Sequence, residues 1–405
     1  MPPSAKPLRD PEFAADGAFG IDPFGFARTH LSPAAVASLE TLQAALDRDV
    51  APLMNDAWET ATMPAGVLDA LIPLHLMEPA GVDESEAAST MFSGFRNFVL
   101  ARADASVATL YNAQSGLFRS TVLMGGSAEQ AAKLDPLIRR FALTGVFALT
   151  EPDHGSDIAG GLATAATRDG DEWVIDGHKR WIGGAVDADV LAVFARDTAD
   201  GEVKCFLVPR DAPGVSLTNI TGKISLRPMQ NADFTLRGVR VPESARLQQI
   251  DSWRDVAGIM RPLRVQVAWI AAGMQAGALE AAIRYVRERE QFGRKVASFQ
   301  LVQEKLARIL GNLTASLGLV TQLSAIQDAG ELSDASSSLA KMWTSLHLRE
   351  SVALAREVVG GNGIVLDTDV ARFFADAEAV YSYEGTHEVT SLIVGRALTG
   401  SPAFV

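Results

Sequence analysis

The sequence predicts an α+β multidomain fold: an N-terminal α-helical domain, a small antiparallel β domain in the middle and a C-terminal four-helix bundle. Apolar residues recur at helical spacing up to about residue 140 and again from about residue 254. Between them, short β-prone runs alternate with turn pairs such as Asp169-Gly170 and Asp176-Gly177. The expected domains are residues 1–143, 144–252 and 253–405.

In the first domain, LSPAAVASLETLQAALDRDV puts Val36, Leu39, Leu42 and Leu46 near one helical face. Ser32-Pro33 reads as an N-cap followed by proline at the first helical position. The run SGFRNFVLARADASVATLYNAQSGLFRSTVLMG reads as a second long, mostly buried helical stretch. In the middle, EWVIDGHKRWIGG, DVLAVFARD, VKCFLVPRD and DFTLRGVRVPES are expected strands. Prolines near their ends suit a small antiparallel barrel or sandwich. No strand–helix alternation points to a Rossmann-type sheet. The bundle is expected from four helical segments at roughly 256–288, 298–328, 334–358 and 369–398.

Composition narrows the function classes. A 405-residue chain exceeds one ordinary core. A formal net charge of -13 argues against a general nucleic-acid binder, which needs basic faces to displace counterions. The single cysteine, Cys205, allows no intrachain disulfide and reads as a small buried apolar residue. No two of the six histidines fall three to five apart, so no metal site is expected. The stretch MPPSAKPLRDPEFAADG lacks the apolar centre of a secretory signal, and SPAFV is not a peroxisomal signal. No apolar run is expected to reach membrane-spanning length. A cytoplasmic location without membrane contact is the expectation.

Dinucleotide-fold and P-loop glycine patterns are absent, as is the hydrolase G-x-S-x-G. The distinctive stretches are FALTEPDHGSD (147–157), KRWIGG (179–184), REREQFGRK (287–295), REVVGGNGI (356–364) and YEGTHE (383–388). Each has a plain structural reading. FALTEPDHGSD suits a boundary turn, a strand tryptophan is usually core, and REREQFGRK suits a solvated face. GGNG suits a helix C-cap. Glu384 poses the same choice: an acidic residue at a surface helix start, or a buried general base.

Taken together and in this order, TEPxxGSD, K-x-W-I, R-x-x-F-G, GGNG and YEGT resemble the acyl-CoA dehydrogenase family over nearly the whole chain. The resemblance implies the three-domain layout already read from periodicity. It also implies FAD bound between subunits, an acyl-CoA substrate and a homotetramer built as a dimer of dimers. Carried over by residue, Phe147, Leu149, Thr150, Gly155 and Ser156 match the loop that holds the flavin, Ser156 also touching the CoA portion. Trp181, Ile182 and Gly183 match the second flavin-ring strand, with Gly183 standing where many members have threonine. Arg289, Phe292 and Gln300 match residues reaching the ADP half of a neighbouring subunit's cofactor. Glu357, Gly360 and Gly361 match another part of that site, with Glu357 where glutamine is common. Thr386, His387 and Glu388 follow the base and line the flavin site. Arg264, Tyr383 and Gly385 match substrate-binding positions.

The resemblance makes Glu384 the base. The α-hydrogen of a thioester is weakly acidic, so its removal needs a desolvated carboxylate and a stabilised enolate oxygen. Apolar surroundings would raise the Glu384 pKa toward neutrality. The β-hydrogen would leave as hydride to the flavin. The Glu384 backbone amide and a flavin ribityl hydroxyl would polarise the thioester carbonyl. Another branch of the family carries its base at the position of Leu263, which cannot serve.

RALTG, RVQVAW and GNGI resemble the glutaryl-CoA dehydrogenase branch, whereas HKRWIGG, SLRPMQNAD and REREQFG resemble the plant short-chain acyl-CoA oxidase. Ala108 stands where the glutaryl enzyme has the arginine that holds the distal carboxylate. A dicarboxylic acyl group would be an unpaired buried charge there. A short, uncharged acyl-CoA is therefore expected, with an electron-transferring flavoprotein as acceptor. An oxidase using oxygen and a glutaryl-CoA dehydrogenase remain alternatives, and a non-catalytic or DNA-associated flavoprotein is a distant one.

Overall fold

The computed structural model describes residues 19–22 and 24–402, so the readings of the polar N-terminal stretch and of the last three residues fall outside it. In the N-terminal region, helix α1 (Pro33–Ala45) starts as the sequence indicates. The Ser32 side chain accepts a hydrogen bond from the Ala35 N–H at 3.2 Å, and Pro33 occupies the first turn. The second helical stretch is not continuous. It divides into α2 (Thr90–Ala103) and α3 (Ala105–Asn112), followed by a wide turn over Ala113–Phe118. Asp104 causes the break, because its buried carboxylate accepts from the Ser106 and Val107 N–H groups and caps α3.

The middle region is a seven-stranded sheet of β1 (Gly145–Ala148), β2 (Ala165–Asp169), β3 (Glu172–Gly183), β4 (Val190–Asp197), β5 (Val203–Pro209), β6 (Val215–Asn219) and β7 (Asn231–Pro242). The strands run in the order β1-β4-β2-β3-β7-β6, with β5 also paired to β4. Pairing is largely antiparallel, as expected. The departure is at β4, against which β1 and β2 both lie parallel. Trp173, Ile175, Phe206 and Phe234 fill the core of the sheet, and Cys205 is fully buried.

Two strands are fastened at the point where they carry the distinctive motifs. Lys179 on β3 is fully buried, and its Nζ donates to the Leu149 carbonyl (3.0 Å) and to Glu151 Oε1 (2.9 Å). Glu151 also accepts from the Ala163 and Thr164 N–H groups. Burial pushes the Lys179 ammonium down to about 8, with Glu151 opposing that shift.

The bundle comprises α4 (Trp253–Glu288), α5 (Gln300–Asp328), α6 (Asp334–Val359), α7 (Val370–Ser382) and α8 (His387–Thr399). The expected fourth segment, 369–398, is thus two helices, because the chain breaks at Tyr383–Thr386. Helix α5 also corrects an expectation: by length and a mean hydropathy of 1.4 it is apolar enough to cross a membrane. Here its Ile309, Leu313, Leu317 and Val320 pack into the bundle. The N-terminal helices and the bundle share one apolar core. Helices α2 and α4 approach so closely that a Cβ on Gly273 would lie 2.4 Å from the Phe98 carbonyl oxygen. On Gly277 it would lie 2.3 Å from that of Arg102.

Two outcomes follow for stability. Gly273→Ala should cost about 1–3 kcal/mol, because backbone and not a flexible side chain must move. Lys179→Met should cost about 3–5 kcal/mol by leaving Glu151 buried without its cation, and adding Glu151→Gln should recover much of that loss. Thermal unfolding of each purified variant checks both.

Candidate active site

Glu384 sits in the break between α7 and α8, and the local geometry decides between its two readings. The helix start belongs to Thr386, whose side chain accepts from the Val389 N–H at 3.2 Å. Glu384 itself has φ 55° and Gly385 has φ 92°, two successive left-handed residues. A non-glycine residue held there costs on the order of 1–3 kcal/mol and must be fixed by its surroundings. Glu384 is therefore not a capping residue.

The carboxyl group of Glu384 has no hydrogen-bond partner among the described residues. Burial pushes its pKa above the usual carboxylate range, while Arg264 and Lys341 draw it back. Lys341, on α6, is fully buried. Its Nζ donates to the Tyr381 carbonyl at 2.8 Å and to the Gly385 carbonyl at 2.7 Å, one on each side of Glu384. Arg264, on α4, is also buried, with Nε and Nη1 unsatisfied and Asp334 Oδ1 at 3.7 Å. A buried guanidinium with free donors, near enough to Glu384 to interact with its charge, is built to receive an anionic or strongly polar group. The Tyr383 hydroxyl is buried without a well-formed hydrogen bond, and burial raises its pKa while the nearby Thr109 hydroxyl opposes the rise. His387 stacks on Tyr381 with ring centroids 4.9 Å apart, and Glu388 is exposed. Leu263, beside Arg264, is buried and apolar.

The β-domain motifs present a second surface. Phe147 packs against Phe194 and Leu149 is buried, while Thr150 accepts from the Arg180 N–H through its carbonyl. Gly155 and Ser156 are exposed, and a Cβ on Gly155 would meet nothing within 4 Å. Trp181 overturns the usual reading of a strand tryptophan. It is 52% exposed, with φ 65°, in a bulge of β3 between Lys179 and Ile182. The bulge turns its ring outward while Ile182 stays buried. At Gly183 a Cβ would stand 2.5 Å from Met229 Cε, so Met229 fills the space a threonine there would need. The Lys179–Glu151 pair that holds this surface was not singled out from sequence, although both residues lie inside the motifs TEP and KRW.

A third cluster lies at the far end of α4. A cavity of about 480 Å³ is lined by Tyr285, Arg289, Phe292, Phe299, Gly360 and Gly361 among others. Phe292 and Gly293 form a two-residue hairpin turn between Glu290–Gln291 and Arg294–Lys295, with φ 53° and 73°. Phe292 is 92% exposed at its tip. Gln300 and Glu357 are exposed and do not line this cavity. Glu357 pairs with Lys305 at 2.9 Å, which holds its carboxyl below the usual range and neutralises an otherwise anomalous acid near this cluster. Among the described residues no group of three His, Cys, Asp or Glu is placed to hold a metal ion.

These surfaces suit a large planar and anionic cofactor. An outward-turned indole offers a stacking face. An arginine beside two glycines whose Cβ positions are open offers close approach for phosphates. The known proteins agree with this. The acyl-CoA dehydrogenase middle-domain family matches residues 146–239, and the acyl-CoA dehydrogenase C-terminal-domain family matches residues 253–399. A 3-(aryl)acrylate reductase of Clostridium sporogenes is 33% identical over 306 residues, which are 74% of this chain and 80% of that protein. The crystal structure of glutaryl-CoA dehydrogenase from Mycobacterium smegmatis superposes with a TM-score of 0.87 at 33% identity, covering 96% of this chain and 100% of that one. A glutaryl-CoA dehydrogenase from the same organism in complex with FADH2 gives 0.86 at 30% identity, covering 94% and 98%. The chain belongs to the acyl-CoA dehydrogenase family and is an FAD-dependent oxidoreductase acting on acyl-CoA.

Proposed function

We propose that the chain dehydrogenates a short, uncharged acyl-CoA thioester to the trans-2-enoyl-CoA, with Glu384 as the base. The observation that carries this reading is a carboxylate without hydrogen bonds, pushed above its usual pKa by burial and held in a left-handed break between two helices. Such a group is a strong base once ionised. It takes the α-proton of the acyl group, and FAD held by the residues named below would supply the acceptor for the β-hydrogen. The Glu384 backbone N–H donates to no group among the described residues and is free to polarise the thioester oxygen. Arg264, with its unsatisfied donors, adds positive potential that acts on the carboxylate.

Phe147, Leu149, Thr150, Gly155, Ser156, Trp181, Ile182 and Gly183 hold the ring half of FAD in this reading, with Thr386 to Glu388 beside it. Arg289, Phe292, Gly360 and Gly361 take the adenine half, with Gln300 and Glu357 at its margin. None of the β-domain residues lines the Arg289 cavity. This separation supports a homotetramer in which one copy's hairpin completes its neighbour's site. Ala108 is fully buried on α3 and offers no cation to a distal carboxylate, which supports an uncharged acyl group over glutaryl-CoA. An electron-transferring flavoprotein is the proposed acceptor.

Anaerobic titration of the purified holoenzyme with butyryl-CoA should bleach the flavin, and the bleaching should persist when air is admitted. Rapid return of colour with peroxide would instead identify an oxidase, and bleaching by glutaryl-CoA but not butyryl-CoA would overturn the substrate class. Glu384→Gln should keep its flavin yet be reduced about 10²–10⁴ times more slowly. Because the base acts ionised, the wild-type rate should fall as pH drops through the raised Glu384 pKa, at higher pH than for an ordinary carboxylate.

A further inference from the structure

We propose that Lys341 is the positioning residue for Glu384: it pins the α7–α8 break from both sides and keeps a fixed positive charge beside the carboxylate. This rests on the reading of Glu384 as the base.

Lysine in the middle of a packed helix is costly to bury and is retained only where its charge is used or matched. Lys341 is fully buried on α6, yet among the described residues its ammonium contacts two carbonyls and no carboxylate within 4.0 Å. Its two hydrogen bonds go to neutral carbonyls, Tyr381 in the last turn of α7 and Gly385 just past Glu384. An ammonium has three N–H donors, so one is left over. The Tyr381 carbonyl is one of the groups a helix C-terminus leaves unsatisfied, and a cation there is favourable. The Gly385 carbonyl fixes the second left-handed residue. Together they determine the backbone on both sides of Glu384, which is what a residue at φ 55° requires.

The electrostatic half follows from what surrounds the pair. Arg264 on α4 and Lys341 on α6 act on Glu384, while Glu388 on α8 acts on Lys341 and Asp334 on α6 acts on Arg264. Burial brings the Lys341 ammonium down to about 8, so it is charged at neutral pH. Removing that charge leaves Arg264 as the sole cation drawing the Glu384 pKa downward, so the pKa rises. A lysine that merely filled space or capped carbonyls would leave the titration of Glu384 where it was.

The test compares Lys341→Gln, neutral but still a donor, with Lys341→Arg, charged and a donor, as holoenzymes reduced by butyryl-CoA. In Lys341→Gln the acid limb of the reduction rate should move up by about one pH unit, roughly ten-fold slower reduction at low pH. Lys341→Arg should restore the limb. Infrared pH-difference spectra give a second readout without turnover: the protonated-carboxyl band missing from Glu384→Gln should titrate at higher pH in Lys341→Gln. If Lys341→Gln does not fold, Lys341→Met carries the same comparison. If neither folds, the acid limb and the band must stay at their wild-type positions in Lys341→Arg, which keeps the charge, or the proposal falls. An acid limb and band that stay in place in the neutral variant overturn it. Full activity in Glu384→Gln would instead overturn the reading of Glu384, which separates the two failures.

Discussion

The rest of the structure depends on α4 being buried on every side from Leu263 to Leu279. A helix can be dry all round only if other elements cover all of it. Here the N-terminal helices cover one side and the bundle covers the other, in one continuous core. Gly273 and Gly277 make this possible by letting the carbonyls of α2 come within Cβ distance. Because α4 cannot rotate or slide without clashing there, Arg264 is fixed in space. A guanidinium on a freely exposed helix would find water, whereas on this one it keeps unsatisfied donors and interacts with the charge of Glu384.

The same rigidity explains how the sequence could be read and where it misled. The three-region order follows from periodicity, because burial on a helix or strand face leaves its spacing in the chain. The N-cap at Ser32 was legible for the same local reason. The break at Asp104 was not, because helical spacing runs through it. At Tyr383–Thr386 a helix start was weighed at Glu384, while the segment 369–398 was kept whole for the same reason. At the first, a side chain outcompetes the next helical turn for backbone donors. At the second, the chain is held open from outside by Lys341, which lies some forty residues away in sequence.

Parallel pairing of β1 and β2 with β4 was hidden for a similar reason, since short strands carry no mark of their partner's direction. Trp181 was matched to the cofactor only through the resemblance, because a strand tryptophan taken alone reads as core. A bulge changes which face a residue occupies, and no residue count reveals one. Arg289, Phe292, Gly360 and Gly361 were brought together as the motifs imply, while Gln300 and Glu357 stayed at the margin. Glu357 looked anomalous only because its counter-ion, Lys305, comes from a different helix.

Two fully buried lysines are used in opposite ways. Lys179 is matched directly by Glu151 at 2.9 Å, and the pair ties the loop after β1 to β3. Direct contact makes it a structural fastener, since both charges are spent on each other. Lys341 is buried as deeply but keeps its charge unspent, donating only to carbonyls. An ion pair between Lys341 and Glu384 would have held the carboxylate ionised and weakly basic, with its lone pairs occupied. Binding the backbone instead fixes the position of Glu384 while leaving its oxygens free, and burial can then raise its basicity. With Glu384 as the proposed base, the difference between a structural carboxylate and a basic one in this fold is thus where the neighbouring lysine places its hydrogen bonds.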